Sequence, residues 1–144
     1  MLMNQGEIVS MMIAARDNGS STLSLLGKEL EVLPPEIGQL TSLIELDLGL
    51  NYLTELPPEI GNLTGLNELL LGGNRLTWLP AEIGSLNDLS ELFLEDNRLR
   101  ELPSELEHLT GLSILYLYGN ELGQSDFDFS RLANLTHVLI ETPR

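Results

Sequence analysis

Apolar and polar residues alternate along this chain in a pattern that repeats every 23 residues. One unit places leucine at 43, 46 and 48, asparagine at 51, leucine at 53 and 56, and a Pro-Pro-Glu-Ile-Gly segment at 57–61. The next unit, from Leu66, repeats most of these positions, and two more follow from Leu89 and Leu112. One such unit cannot bury its own apolar face, so the repeat predicts a solenoid in which each coil packs on its neighbours.

Each unit contains a short predicted strand. Leu46 and Leu48 are two residues apart and therefore point to one side of an extended backbone, with Glu45 and Asp47 on the other side. Strands at the same place in successive coils run parallel at about 4.8 Å, so residues 23 to 140 predict a curved sheet of about six strands. This sheet forms the concave face of a short horseshoe, and its leucines point into the core.

The residues after each strand predict how the chain returns to the next coil. Proline fixes φ and glycine permits tight turns, so the segment from Pro57 to Gly61 predicts a turn or short helical segment on the convex face. Gly61 is expected to have a positive φ. Asparagines at the strand end form a predicted structural ladder, whose amides bond backbone groups that would otherwise be buried and unpaired. The ladder consists of Asn51, Asn74, Asn97 and Asn120.

Both ends of the array depart from the repeat, as the caps of a solenoid do. Asn4 and Glu7 form a potential capping box for an amphipathic helix that would lie over the first coil. Lys28 stands where the first asparagine of the ladder would be. The predicted organisation is a single domain, 1–144, made of an N-terminal helical cap (4–19), repeats (23–122), and an irregular last repeat with the C-terminal cap (123–144).

At these residues the chain resembles the leucine-rich repeat proteins. The Leu-Pro-x-Glu-Ile-Gly-x-Leu-Thr segment is similar to the 23-residue intracellular class, which includes Ras-suppressor and Scribble-like scaffolds and is also common in bacteria. The resemblance covers residues 23 to 140 or so. It implies an α/β solenoid that acts as a protein interaction module, and it names no partner, because members of the family bind many unrelated proteins.

Charge and cysteine content narrow the classes of partner and compartment. The net charge of −15 argues against nucleic acid as a ligand and favours basic partners, although the same charge also serves solubility. The chain has no cysteine, which predicts a cytoplasmic protein, or one delivered outside the cell by a route without oxidative folding. No apolar run has the length of a membrane span. Arg16 is the single basic residue of the N-terminal helix, whereas helices that bind a membrane surface carry several. We therefore expect the protein not to bind a membrane.

Side chains that the repeat leaves free are expected on the concave face, where they form rows across the strands. One row is acidic and then turns neutral, and the next row becomes apolar and aromatic. Clustered aromatic residues with a charged rim are typical of protein interfaces. The sequence therefore predicts that a basic or amphipathic protein segment binds to Glu68, Leu70, Glu91, Phe93, Glu95, Asp96, Tyr116, Tyr118, His137 and Leu139.

Other interpretations accompany this prediction. The aromatic residues could simply stack across strands and stiffen the sheet. Trp78, in the turn after Asn74, is expected to pack on Arg98 or Arg100, with a second contact surface as the alternative. The chain could also be a recognition or regulatory fragment of a larger signalling, GTPase-linked protein, or a self-associating scaffold that is a monomer or weak homodimer.

We expect no catalysis, no cofactor and no metal site. Nucleophilic and metal chemistry have few candidate residues here, because the chain has one lysine, two histidines and no cysteine. His137 falls on the concave face, but Glu91 is expected two strands away, at about 9.6 Å, too far to share a metal.

Overall fold

The predicted sheet is confirmed by a computed structural model, which describes residues 3–123 and 127–140. Six strands lie side by side in chain order, and every neighbouring pair is parallel. Corresponding residues of the repeat face each other, as Leu46 faces Leu69. The strands are β1 (Thr22–Ser24), β2 (Glu45–Asp47), β3 (Glu68–Leu70), β4 (Glu91–Phe93), β5 (Ile114–Tyr116) and β6 (His137–Leu139).

The core lies between this sheet and a row of short 3₁₀ helices. Leu46 and Leu48 are fully buried, as the alternation predicted, and Glu45 and Asp47 point out of the sheet. Ile60, in the turn that leads back to the next strand, closes the core from the other side. These short helices agree with the turns or short helical segments that the sequence predicted on the convex side. They are Pro35–Gln39, Pro58–Asn62, Ala81–Ser85, Ser104–His108 and Phe129–Arg131.

Gly61 does not have the positive φ that the sequence predicted. It lies inside the 3₁₀ helix Pro58–Asn62, and a Cβ atom there would come within 2.8 Å of the Glu82 carbonyl oxygen of the next coil. Gly38 and Gly84 lie equally close to the coils that follow them. Glycine is therefore required at this position by the close stacking of adjacent coils, and backbone handedness does not explain it.

The N-terminal helix α1 (Gln5–Asp17) covers the first coil. It begins with the predicted capping box, in which the Glu7 backbone N–H donates to Asn4 Oδ1 at 2.8 Å and the Asn4 N–H donates to the Glu7 carboxylate. Ile8 and Met12 are fully buried against the first coil. The helix therefore protects leucines that the first coil would otherwise expose to water. Among the described residues, no helix has the length and hydropathy that crossing a membrane requires.

The last coil differs from the others. Its 3₁₀ helix is shorter, and Phe127 and Phe129 meet edge to face with ring centroids 4.9 Å apart. Glu107 occupies the place that Gly84 has one coil earlier, and its carboxylate lies 3.6 Å from the Arg131 guanidinium. The predicted last repeat and C-terminal cap lie partly outside the described residues, at 124–126 and 141–144, so the division of the chain at 123–144 stays a prediction.

Candidate functional site

The outward side chains of the strands form two ladders on the concave face. The first, which we call the acidic ladder, consists of Glu45, Glu68 and Glu91 on β2, β3 and β4, in direct register. Burial raises the pKa of Glu68, and the neighbouring charges of Glu91, Glu45 and Asp47 raise it further. Like charges directly opposite each other destabilise a sheet. Charge repulsion within the acidic ladder therefore lowers the stability of the folded protein.

The second ladder is apolar and aromatic, and it runs beside the acidic one. We call it the aromatic ladder; its members are Leu70, Phe93, Tyr116 and Leu139, which face one another on successive strands and are all partly exposed. The Phe93 and Tyr116 rings meet edge to face at 4.9 Å, and Tyr116 and Tyr118 lie 6.0 Å apart. Such pairs stabilise a sheet, but each ring also keeps a surface on which another chain could pack.

Glu95, just beyond β4, lies between the aromatic ladder and the rim. Its carboxylate lies over Gly72, where any side chain would collide with it. One oxygen, Oε2, is buried and has no hydrogen-bond partner among the described residues. Burial raises the pKa of Glu95, with a smaller contribution from Asp96, and burial together with both of these carboxylates raises the pKa of Tyr118. The carboxylate also accepts from its own backbone N–H, which opposes the rise in its pKa. Oε2 alone is therefore an acceptor that no described residue satisfies.

The rim of the concave face has a conformation that the sequence did not reveal. At one position of the repeat the backbone is left-handed in five coils, at Gly27, Leu50, Gly73, Asp96 and Gly119, with φ between 53° and 73°. Glycine adopts this conformation freely, and aspartate tolerates it. A leucine is strained in this conformation, and the Leu50 side chain is 66% exposed. An exposed, strained leucine at a rim is a candidate for contact with a partner.

The structure brings four of the ten predicted contact residues together at one place on the concave face. Leu70, Glu95, Asp96 and Tyr118 line a shallow depression there, together with Leu26, Asp47 and Leu50, which were not among the predicted contacts. The sequence carries one sign of Leu26 and Leu50: each is a leucine at a repeat position where most other coils have glycine or an acidic residue. His137 lies apart on the last strand, exposed, with Nδ1 3.0 Å from the Thr136 hydroxyl.

Beneath the rim, the asparagine side chains bond the backbone of adjacent coils. Asn74 Nδ2 donates to the carbonyls of Leu48 and Leu71 at 2.9 and 3.0 Å, and its Oδ1 accepts from the Leu53 N–H at 3.0 Å. Asn97 and Asn120 do the same one and two coils further on. Asn51 Oδ1 also accepts from the backbone N–H groups of Lys28 and Leu30, in the coil that has Lys28 in place of an asparagine. These side chains therefore support the backbone from which the concave face is built.

Trp78 makes no cation–π contact with Arg98 or Arg100, so the cation–π packing predicted for it is not found among the described residues. Within the described part of the chain it has no cation–π contact; Arg75 lies over Tyr52 instead, 4.5 Å from the ring centroid, and Arg100 pairs with Glu121 at 3.3 Å. The indole lines a groove towards the two preceding coils, on the flank of the solenoid. Trp78 therefore belongs to a surface separate from the concave face.

The described residues contain no group of three or more histidine, aspartate or glutamate side chains that could hold a metal ion. Glu91 and His137 are separated by Ile114 in the sheet register, two strands apart as expected.

A solenoid of parallel strands with a buried asparagine ladder defines a class of repeat protein, and comparison with known proteins identifies it. A family model described as "Leucine-rich repeat region" matches residues 21–121, so the chain belongs to the leucine-rich repeat family. Members of this family are generally non-catalytic modules that bind proteins.

A solved structure of a leucine-rich repeat protein from Leptospira interrogans is similar to this chain, with 44% sequence identity and a TM-score of 0.81. The similarity covers 83% of this chain and 30% of the Leptospira chain, so this chain spans less than a third of that protein. No curated protein matches the sequence.

Proposed function

We propose that this protein is a non-catalytic interaction module whose concave face binds a basic or amphipathic protein segment. The observation that carries the proposal is the pair of adjacent ladders: Glu68 and Glu91 stand two residues before Leu70 and Phe93 on the same strands and the same face. A segment with apolar residues beside lysine or arginine would pack on one ladder and pair with the other. The absence of cysteine supports placing this interaction in the cytoplasm.

The unfavourable electrostatic energy of the concave face supports a role of the acidic ladder in binding a basic partner. Three glutamates in register repel one another, and Glu95 has a buried carboxylate oxygen, Oε2, that finds no hydrogen-bond partner in the described part of the chain. A basic partner would relieve both costs, because its cations would pair with the ladder and could donate to that oxygen. Asp96 at the rim would extend the attraction to the edge of the face.

Calorimetry tests the proposal with a designed amphipathic peptide that has lysines on one helical face and leucines on the other. We expect saturable binding that weakens as salt is added, because the ion pairs are screened. The variant Phe93→Ala/Tyr116→Ala should lose at least about tenfold in affinity, since buried aromatic residues dominate such interfaces. Glu68→Gln/Glu91→Gln should weaken binding and flatten its salt dependence.

Two controls make the result specific to the concave face. Glu82→Gln removes one charge from the convex side and should leave the affinity unchanged. A scrambled peptide of the same composition, which has no apolar face, should bind at least about tenfold more weakly. Unchanged binding by the Phe93→Ala/Tyr116→Ala variant would show that the concave face is not the site.

Light scattering over a range of protein concentrations distinguishes a partner from self-association. We expect a monomer, whose aromatic ladder is free for another protein. A wild-type dimer that the Phe93→Ala/Tyr116→Ala variant cannot form would mean that a second copy occupies the ladder, and would replace the proposed function with that of a self-assembling scaffold.

A further inference from the structure

Trp78 is a residue that the repeat does not require. The corresponding positions in other coils hold Val32, Glu55 and Glu101, and the indole is 45% exposed. Its Nε1–H has no hydrogen-bond partner among the described residues, and the ring makes no contact with another aromatic side chain there. An exposed indole therefore offers an apolar face and a free donor to something outside the chain.

The indole is one wall of a groove that crosses three coils on the flank of the solenoid. Its other apolar walls include Val32, Pro35, Pro57 and Pro58, from the two preceding coils, and the buried Leu33 and Leu56 also line it. We call this surface the Trp78 groove. Proline rings cannot rotate about φ, so the groove exists before any ligand arrives, and binding would cost little ordering of the protein.

The dimensions and chemistry of the Trp78 groove fit a polyproline II helix. Three coils span about 10 Å, twice the spacing of neighbouring strands, and one turn of polyproline II rises about 9 Å. This helix has no internal hydrogen bonds, so its carbonyl groups are free to accept from the Trp78 indole N–H. Grooves lined by aromatic residues bind proline-rich segments in other proteins because little conformational entropy is lost.

The charges at the groove select among such segments. Glu31 and Glu55 line it together with the apolar residues. Neither forms an ion pair within the described ranges, so each carboxylate is available to a cation. An arginine or lysine beside the prolines would pair with them and could also stack on the indole.

We propose that the Trp78 groove binds a proline-rich protein segment in the polyproline II conformation, with a basic residue next to its prolines. This site is separate from the concave face, so one molecule could hold two partners at once. The proposal does not rest on the function proposed for the acidic and aromatic ladders.

Trp78 is the single tryptophan of the chain, so its fluorescence reports directly on the groove. The probe is a synthetic peptide of consecutive prolines followed by arginines, and its control has the same arginines after alternating glycine and serine. We expect the proline peptide to shift the emission to shorter wavelength in a saturable way. The control peptide should bind at least about tenfold more weakly, because its chain must be ordered and has no proline rings to pack.

Variants locate the binding by calorimetry. Trp78→Glu introduces the residue that the neighbouring coils carry at this place, so the fold should be kept while the affinity falls at least about tenfold. Glu31→Gln/Glu55→Gln should weaken binding and reduce its dependence on salt. Two controls should bind as the wild type does: Glu101→Gln, in the next coil of the same row, and Phe93→Ala/Tyr116→Ala on the concave face.

Three results would overturn the proposal. The first is the lack of saturable binding at peptide concentrations up to about 1 mM, the weak end of specific affinities. The second is equal binding of the two peptides, or unchanged binding by Trp78→Glu. The third is an emission shift that depends on protein concentration without peptide, together with a dimer that Trp78→Glu abolishes, which would show that a second copy occupies the groove.

Discussion

Asn74 shows how single residues hold neighbouring coils together. Its amide donates to carbonyls of two coils, from Leu48 and Leu71, and accepts from the Leu53 N–H, all near 3.0 Å. These three backbone groups are buried beside the core leucines. Removing the amide would leave them unpaired, which costs more than the loss of an exposed hydrogen bond.

We predict that Asn74→Ala lowers the free energy of unfolding by about 1–3 kcal/mol or slightly more, since it strands several buried backbone groups. Urea unfolding followed by circular dichroism measures the change. Asn67→Ala is the matched control: Asn67 is exposed, and its change should stay within about 0.5 kcal/mol. Equal losses for the two variants would mean that the buried amide has no special role.

Leu50 is strained in the folded state, because a leucine with φ of 53° brings its Cβ close to its own backbone. We predict that Leu50→Gly raises the free energy of unfolding by up to about 1 kcal/mol, the relieved strain exceeding the added entropy of the unfolded glycine. Urea unfolding checks this change as well.

Leu26→Gly provides the contrast for Leu50→Gly. Leu26 lies one position away in the preceding coil, also exposed, but its φ is not positive, so glycine there should destabilise. Stabilisation by both substitutions would show that exposure of leucine matters and strain does not. If Leu50→Gly also weakens peptide binding on the concave face, the strain has been retained for contact with a partner.

At the scale of elements, the stacking of the 3₁₀ helices determines where glycine is needed. Gly38, Gly61 and Gly84 each lie against a carbonyl oxygen of the next 3₁₀ helix, at 2.9, 2.8 and 2.5 Å from an added Cβ. Glu107 occupies the same position where the next helix is shorter, and there a long side chain fits and approaches Arg131. The glycine thus depends on the element that follows it.

We predict that Gly61→Ala destabilises the protein by about 1–3 kcal/mol, because the added methyl group forces two closely packed backbones apart. Thermal or urea unfolding measures it. Gly65→Ala is the control, since an added Cβ at Gly65 would meet its nearest neighbour, the Leu43 oxygen, at 3.9 Å, an ordinary contact. Gly65→Ala should be neutral or slightly stabilising, and a similar loss at both positions would contradict the stacking argument.

At the scale of the whole molecule, the concave face concentrates negative charge, and this affects how stability depends on pH. Burial is the main cause that raises the pKa of both Glu68 and Glu95 above the ordinary value of 4.5. Between that value and the raised pKa, the folded protein binds more protons than the unfolded chain. The free energy of unfolding therefore increases as the pH falls from neutral into this window.

We predict that the protein is more stable near pH 5 than near pH 7, and that Glu68→Gln/Glu95→Gln reduces this difference. Urea unfolding at constant ionic strength measures both. Asp128 acts in the opposite sense, because hydrogen bonds from Ser130 lower its pKa below 3.8. The stability that its ionised carboxylate contributes is therefore lost only as the pH falls below that value. A variant with the same pH dependence as the wild type would contradict the assignment to these two glutamates.

The fold could be predicted from the sequence, because the same pattern of inward and outward residues recurs in every repeat. Alternation around Leu46 and Leu48 and the period of 23 residues gave the inward positions, the parallel sheet and its register, and the structure confirms them. A capping pattern at Asn4 and Glu7 likewise located the start of α1. The rows on the concave face also followed from register, although their role in binding stays a prediction.

Features that depend on contacts between coils became visible only in the folded structure. The left-handed backbone at Leu50, the direction of Trp78 and the buried oxygen of Glu95 could not be predicted from spacing. Gly61 was assigned the wrong cause for the same reason, since the group that excludes a side chain there belongs to Glu82, in the next coil. A periodic pattern encodes which way residues face, but the choice of rotamer and the closeness of two backbones arise only when the coils pack.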